Sequence, residues 1–479
     1  MLTAGVTKIY RHCALLCNLR CMSHTKSLNF DENKLKYRSI KESYSGKSIF
    51  LTGGTGFLGK VLIEKLLRST DVEKIFVLIR EKKGIDSDKR LKQMLNIPIF
   101  EDLKENKPNA LNKLVAIGGD VTKKDLGISP EDEQKIIDNV SLVFHSAATV
   151  KFTDPFSNIM NINYEGTKKV LKLSKKIKNL ETFVYISTAF CQGDRTHINE
   201  SMYPRFYEEG EVYKFIDAYG DNPTEVVKFL DGKPNTYTLS KSLCESYIKE
   251  EHKPLSTIVL RPSIVTPVYK GPVPGWVDSW VAATALFSDV ARGLTKVMYG
   301  DKNVICDMIP VDYVINLAIV AGARGNKTDD ILVFNSSSGT ANPITWKEGA
   351  DLYLEESLKY GKSELKPRKV MVLSSPLLMD FLSFTLQTTP AFLADLMLRI
   401  KGEQPKYLNM QKRAILLRDI LRTFSSISFQ IKSQKTEGLY TTLSEEDKVQ
   451  FPFDPKTIVW RKYMRIFYKG VQKYMLNDK

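Results

Sequence analysis

From Lys47 onward the chain alternates two hydrophobic patterns. Short β-rich runs occur at residues 48–51, 74–79, 114–117, 142–145, 183–187 and 257–261, and longer stretches of helical period lie between them. Parallel strands cannot be joined by tight hairpins and need crossover helices, so this alternation predicts an α/β fold with a Rossmann-like, doubly wound parallel sheet. After Pro262 the regularity breaks into a passage rich in Pro, Gly and Trp at 269–280, followed by mixed segments to about residue 345, which read as a smaller substrate lobe.

Residues 370–400 are strongly apolar. Pro376, Asp380, Pro390, Asp395 and Arg399 interrupt them, leaving no run of roughly 18 apolar residues to cross a bilayer. Two readings stay open for this stretch: monotopic or hairpin contact with a membrane, or a buried helix pair capping the substrate lobe. Residues 401–479 hold 16 Lys/Arg against 8 Asp/Glu, with Trp460, Tyr463, Phe467, Tyr468 and Tyr474 at nearly helical spacing. The spacing predicts a small helical domain with a solvated basic face. The chain therefore divides into an extension (1–40), a dinucleotide-binding domain with its substrate lobe (41–345), an apolar membrane-associating or linking segment (346–405) and a small helical C-terminal domain (406–479).

Composition narrows the partners. With 479 residues, 43% of them hydrophobic, the chain buries at least one large core, and its net charge of +15 favours anionic partners such as phosphate-rich cofactors, CoA or acidic lipid. Nucleic acid would rest on that charge alone, and none is expected. The six cysteines form no CxxC pair, so neither a metal site nor a disulfide framework is expected. Before Asp31 the chain carries Lys8, Arg11, Arg20 and Lys26 but no acid, and Cys13, Cys17 and Cys21 recur at i, i+4. This fits an amphipathic targeting or anchoring segment better than a secretory signal.

The first run leads into Thr52-Gly53-Gly54-Thr55-Gly56-Phe57-Leu58-Gly59. A strand, a glycine turn and a helix start follow in the order a dinucleotide site requires. Gly53 permits the tight turn, Gly56 lets backbone approach a pyrophosphate, and Gly59 lets the helix pack close to the strand. Thr52, Thr55, Phe57 and Leu58 belong to the same turn. The second run ends at Arg80, with Lys82 and Lys83 following, where an NAD enzyme places an acid for the ribose 2′-hydroxyl. Arginine there suits a 2′-phosphate and predicts NADPH. Asp120 and Val121 after the third run are expected to border the adenine, and His145 and Ala147 close the fourth run beside the dinucleotide.

Tyr237 and Lys241 stand four apart, on one helical face. A phenol of pKa about 10 is a poor acid at neutral pH, and an adjacent ammonium lowers that pKa while also reaching the nicotinamide ribose. The fifth run ends in Ser187-Thr188, whose hydroxyls emerge at the carboxyl edge of the sheet, where ligands bind in such folds. Thr188 is the expected donor to a developing oxyanion, with Ser187 as its alternate.

These residues resemble the extended short-chain dehydrogenases. Within that group the chain is similar to the animal fatty acyl-CoA reductases, through His145-Ser146-Ala147-Ala148-Thr149-Val150, Asn163-Tyr164-Glu165-Gly166-Thr167, Leu260-Arg261-Pro262-Ser263-Ile264-Val265, Asp307-Met308-Ile309-Pro310-Val311-Asp312 and the tail Phe451-Pro452-Phe453-Asp454. The resemblance runs from about residue 40 to the end. It implies NADPH-dependent reduction of a long-chain fatty acyl-CoA to alcohol and free CoA in two hydride transfers, with Tyr237, Lys241 and Thr188 doing the acid and oxyanion work. It also implies a membrane-associated, cytosol-facing enzyme of peroxisome or endoplasmic reticulum, with a homodimer as an expected assembly. Alternatives are an extended dehydrogenase acting on a sterol or other lipid carbonyl, and a non-catalytic membrane-associated scaffold. A nucleotide sugar is disfavoured because it needs no lipid-facing surface.

Overall fold

A computed structural model describes residues 38–280, 282–325, 330–360, 365 and 367–476. Most of the extension, with its three cysteines, lies outside these residues. Residues 39–479 form one compact unit.

Its centre is a seven-stranded sheet of β1 (Ser48–Thr52), β2 (Lys74–Ile79), β3 (Leu114–Gly118), β4 (Val140–His145), β5 (Thr182–Ile186), β6 (Thr257–Pro262) and β7 (Leu332–Ser336). The order is β3-β2-β1-β4-β5-β6-β7, with every neighbouring pair parallel. Six strands fall where the hydrophobic runs predict them, within two residues at each end. The seventh, β7, lies in the stretch read from sequence only as mixed segments.

Helices on both faces explain why these strands are apolar throughout rather than alternating. Ile49 and Leu51 of β1 enter one core layer and Phe50 the other. Thr52 pairs with His145 across β1 and β4, where the strand order reverses. The crevice outside the carboxyl ends of these two strands is therefore the expected ligand site.

The helix α1 (Phe57–Ser69) leaves β1 through the glycine turn, and α2 (Thr236–Glu251) precedes β6. Asn235 caps α2: its side chain accepts from the Thr238 amide, and Thr238 Oγ1 accepts from the Asn235 amide. With the cap two residues before Tyr237, the phenol falls in the first turn and Lys241 one turn on.

Later segments are stitched onto the carboxyl edge of the sheet. Ile264–Thr266 pairs with Met308–Pro310, Val297–Tyr299 with Met371–Leu373, and His197–Ile198 with Gln430–Ile431. The hydrophobic helix α3 (Val311–Arg324) packs under the sheet, and α4 (Trp346–Tyr360) packs on the last helix, α8 (Trp460–Met475). The helix α8 buries Tyr463, Phe467 and Tyr468 and exposes Arg461, Lys462, Arg465 and Lys469, the solvated basic face its spacing predicts. Between α4 and α8 lie α5 (Pro376–Ser383), α6 (Thr389–Ile400) and α7 (Tyr407–Ile420).

Candidate active site

At the β1/β4 crevice lies a cavity of about 510 Å3, within the range of small-molecule sites. Its floor is the glycine turn: Gly53, Thr55, Gly56, Phe57, Leu58 and Gly59 all line it. Gly53 has φ +76°, and a Cβ there would lie 2.6 Å from the Ala147 nitrogen. A Cβ at Gly59 would overlap the Gly53 carbonyl oxygen. Backbone thus fills the space that side chains would need, and α1 begins at Gly56 with no side-chain cap. The first amides of α1 are left for an acceptor from the cavity, which is the arrangement that holds a pyrophosphate. The residues present fit a dinucleotide. We expect Gly59→Ala to lose cofactor binding and to cost about 1–3 kcal/mol through overpacking; cofactor fluorescence titration beside thermal melting checks both.

Thr52 and His145 lie outside the cavity lining and face each other. Thr52 Oγ1 is 2.6 Å from His145 Nδ1 and accepts from the Ala147 amide at 3.3 Å, while His145 Nε2 is 2.9 Å from Thr167 Oγ1. Thr167 spends its own proton on the Asn163 carbonyl, so His145 donates from Nε2 and accepts at Nδ1. Burial, with Lys241 nearby, lowers its pKa to about 3, and it stays neutral. These residues clamp the ends of β1 and β4 and bring Ser146 and Ala148, rather than Ala147, to the cavity wall.

Arg80, Asp120 and Val121 also sit beyond the lining. Arg80 is 57% exposed at the end of β2, 3.9 Å from Asp120. A second arginine supports it: Arg90 Nη1 donates to the Arg80 carbonyl at 2.5 Å. Asp120 accepts from the Thr122 amide and hydroxyl, and Val121 is buried against Gly166.

The structure brings Tyr237, Lys241, Ser187 and Thr188 together on the cavity wall. Lys241 is buried, its Nζ donating to the Ile186 carbonyl at 2.8 Å and lying 4.5 Å from the Tyr185 ring centre. Burial lowers its pKa to about 8. Tyr237 packs against Phe152, ring centres 5.9 Å apart. Its phenol is raised above the ordinary range, first by burial and then by the nearby thiols of Cys191 and Cys244. The i, i+4 argument expects a lowered pKa; desolvation outweighs it here, and the phenol is held in its proton-donating form.

The two hydroxyls differ. Ser187 Oγ donates to Glu245 Oε1 at 2.6 Å and is thereby committed. Thr188 Oγ1 has only long partners, the Phe190 amide at 3.3 Å and the Pro262 carbonyl at 3.4 Å, which leaves it adaptable to a ligand oxygen.

Two supporting residues escape sequence reasoning. Glu245 lies one turn past Lys241 on the same face of α2 and accepts from Arg261 Nε at 2.9 Å and Nη2 at 2.6 Å, all buried. Asn163 lies in a π-helical turn (Met160–Glu165), and its side chain donates to the Thr149 carbonyl at 3.2 Å and to Ser240 Oγ at 2.9 Å. The helical spacing 237, 241, 245 was the available signal for the first. Asn163 carried none beyond its motif.

A doubly wound sheet, a glycine cradle at the strand reversal and a Thr/Tyr/Lys wall define a nicotinamide-dependent oxidoreductase of the short-chain dehydrogenase class. Residues 51–318 match the male sterility protein family in its NAD-binding part, and residues 386–478 match its second part. The chain is 34% identical to fatty acyl-CoA reductase 1 of Xenopus laevis over 92% of this chain and 87% of that one. It is 31% identical to the fatty acyl-CoA reductase wat of Drosophila melanogaster over 99% and 90%. The chain belongs to the fatty acyl-CoA reductase family. Its fold also matches the reductase domain of a nonribosomal peptide synthetase from Mycobacterium tuberculosis, with TM-score 0.61 and 17% identity over 90% of this chain and 94% of that domain.

Proposed function

We propose that the protein reduces long-chain fatty acyl-CoA to the fatty alcohol and free CoA, using two equivalents of NADPH and passing through a bound aldehyde. The observation that carries this reading is the cavity itself, where the polar wall of Thr188, Tyr237 and Lys241 meets apolar side chains of Phe190, Ile264, Val265, Leu421 and Phe424. An acyl chain suits the second wall and its carbonyl the first.

The bound nicotinamide supplies hydride, one equivalent for each reduction. Thr188 and Tyr237 hydrogen-bond the carbonyl oxygen and stabilise the charge that develops there. In the first reduction hydride adds to the carbonyl carbon, the C–S bond then breaks, and CoA departs as the thiolate, which takes its proton from water. In the second, Tyr237 donates its proton to the aldehyde oxygen, and Lys241, charged below its lowered pKa, stabilises the phenolate left behind. Water restores that proton. The apolar wall of Phe190, Ile264, Leu421 and Phe424 shields the aldehyde from water between the two steps.

The preference for NADPH is supported by Arg80, which takes the first position after β2 ahead of Glu81, and by Arg90 of the following helix, which donates to the Arg80 carbonyl. Charged hydrogen bonds of this kind are worth about 1.5–3 kcal/mol, so Arg80→Ala is expected to raise KM for NADPH roughly 10- to 100-fold and leave that for NADH nearly unchanged. The family resemblance supports attachment to a peroxisomal or endoplasmic reticulum membrane with the active site facing the cytosol.

The test is to incubate detergent-solubilised protein with palmitoyl-CoA and either NADPH or NADH and to analyse the lipid products. Hexadecanol formed with NADPH supports the proposal. Free hexadecanal as the end product overturns the two-step reading, and no cofactor oxidation across chain lengths sends the assignment to another lipid carbonyl.

A further inference from the structure

The helices α5 and α6 and the π-helical turn between them (Phe384–Thr388) are inside out. Every fourth residue from Met379 faces inward: Met379, Ser383, Gln387, Ala391 and Asp395 are buried. Three of these five are polar, and each is hydrogen-bonded on the inward side, Gln387 to residues 296–297 where a strand begins and Ser383 and Asp395 to α7 and its N-terminus. Gln387 Oε1 accepts from the Lys296 amide at 2.5 Å and the Val297 amide at 3.0 Å. Ser383 Oγ accepts from Arg418 Nη1 at 3.0 Å. The Asp395 carboxylate accepts from the amides of Lys406, Tyr407 and Leu408 at 2.8–2.9 Å.

The outward face is the greasy one. Leu377, Phe381, Phe384, Phe392, Met397 and Ile400 are all exposed, Leu377 by 84% and Ile400 by 78%. A helix on a water-facing surface turns its apolar stripe to the core and its polar residues out. Scattered exposed apolar side chains need no explanation, but a contiguous platform marks an interaction face.

Charge around the platform selects the occupant. Between residues 368 and 422 the described chain exposes eight Lys/Arg, among them Arg399, Lys401, Lys412 and Arg413, against three Asp/Glu. A second copy of a chain with net charge +15 would bring like charges together, whereas an anionic surface is complementary. Among the described residues no helix is long and apolar enough to cross a membrane, so such a face lies in the interfacial zone. The helix α7 packs on α6 and runs directly into Leu421 and Phe424, two residues of the cavity's apolar wall. Platform and acyl wall are therefore neighbouring pieces of one continuous segment.

We propose that the outward face of α5 and α6 docks on an anionic phospholipid bilayer, and that acyl substrate dissolved in that bilayer reaches the cavity past Leu421 and Phe424. The docking deepens the membrane attachment proposed above and is read without turnover, whereas the substrate path rests on the acyl reduction proposed above. Vesicle flotation tests it, using the full chain with phosphatidylcholine vesicles that contain or lack phosphatidylserine. Wild type is expected to float with the anionic vesicles, less so in high salt.

A Leu377→Glu, Phe381→Glu, Met397→Glu variant removes only exposed side chains. Its bound fraction is expected to fall at least about tenfold, since each carries a share of the buried apolar area. Thermal melting and nicotinamide-cofactor binding of that variant should stay unchanged, which separates lost docking from lost folding. Turnover of palmitoyl-CoA presented in vesicles should fall with binding. The proposal is overturned if wild type floats with neither vesicle, or if the variant floats as wild type does. A wild type that ignores vesicles but is a dimer by light scattering, with a monomeric variant, assigns the face to a second copy instead.

Discussion

Replacing Tyr237 with phenylalanine lowers turnover by about a hundred- to ten-thousand-fold, the span associated with a positioned proton donor, and leaves nicotinamide-cofactor binding close to wild type. The substitution removes one oxygen from a ring held by Phe152 and by the first turn of α2, so neither the cap nor the cavity wall needs to move. Single-turnover kinetics with cofactor fluorescence separates the two effects. A variant that binds cofactor poorly would show that the hydroxyl positions the ligand rather than supplying the proton.

The pH dependence follows from Lys241. Burial lowers its pKa to about 8, so its charge is present below that pH and lost above it. Activity is expected to decline as pH rises through about 8. Lys241→Arg, whose side chain stays charged, should flatten that limb even where the altered geometry lowers the plateau. Tyr237 contributes no limb in the same range, because burial raises it further from neutrality.

The parts of this site that lie within one local stretch were legible in the sequence. The glycine turn, the Tyr237/Lys241 pair and Ser187-Thr188 each depend on neighbours a few residues away, and spacing reports them. Which hydroxyl is available did not follow from spacing, because Ser187 is committed by Glu245, 58 positions along the chain. The buried pair of Glu245 and Arg261 escaped for the same reason. The edge strand β7 was missed because it lies in an irregular passage, not for its length, which equals that of β1, β3 and β5. For 370–400 composition showed an apolar stretch, but the choice between buried pair and surface platform rests on which stripe turns inward. The stretch is a helix pair set against the body with its apolar side outward, so it is not the buried pair of the second reading, and membrane contact of that side is the proposal made above.

The largest expected loss of stability comes from Glu245→Gln. Glu245 receives Ser187, Cys191, Gln192 and both donors of Arg261, while Arg261 also reaches the carbonyls of Asn199 and Ser201 at 3.0 Å. The pair thus ties α2, the end of β5, β6 and the 199–201 loop together beneath the catalytic wall. Removing one charge of a buried pair leaves the other uncompensated, which costs about 3–5 kcal/mol.

Burial alone would raise the Glu245 carboxyl, but Arg261 and the hydroxyl and thiol donors hold it below its ordinary value. A carboxyl depressed in the folded state contributes stability above its unfolded pKa of about 4.3, and that contribution is lost as pH falls through the lower folded value. Denaturant melts of wild type and Glu245→Gln should therefore differ most near neutral pH and converge as the solution is acidified below about pH 4. Equal separation at every pH would show that the loss comes from shape rather than charge. Because Glu245 touches Ser187 and the turn bearing Thr188, surviving folded variant should also show a lower kcat with little change in cofactor binding. Recovery of kcat in Glu245→Asp, which keeps the charge, would mark Glu245 as a positioning residue acting through Arg261 and Ser187.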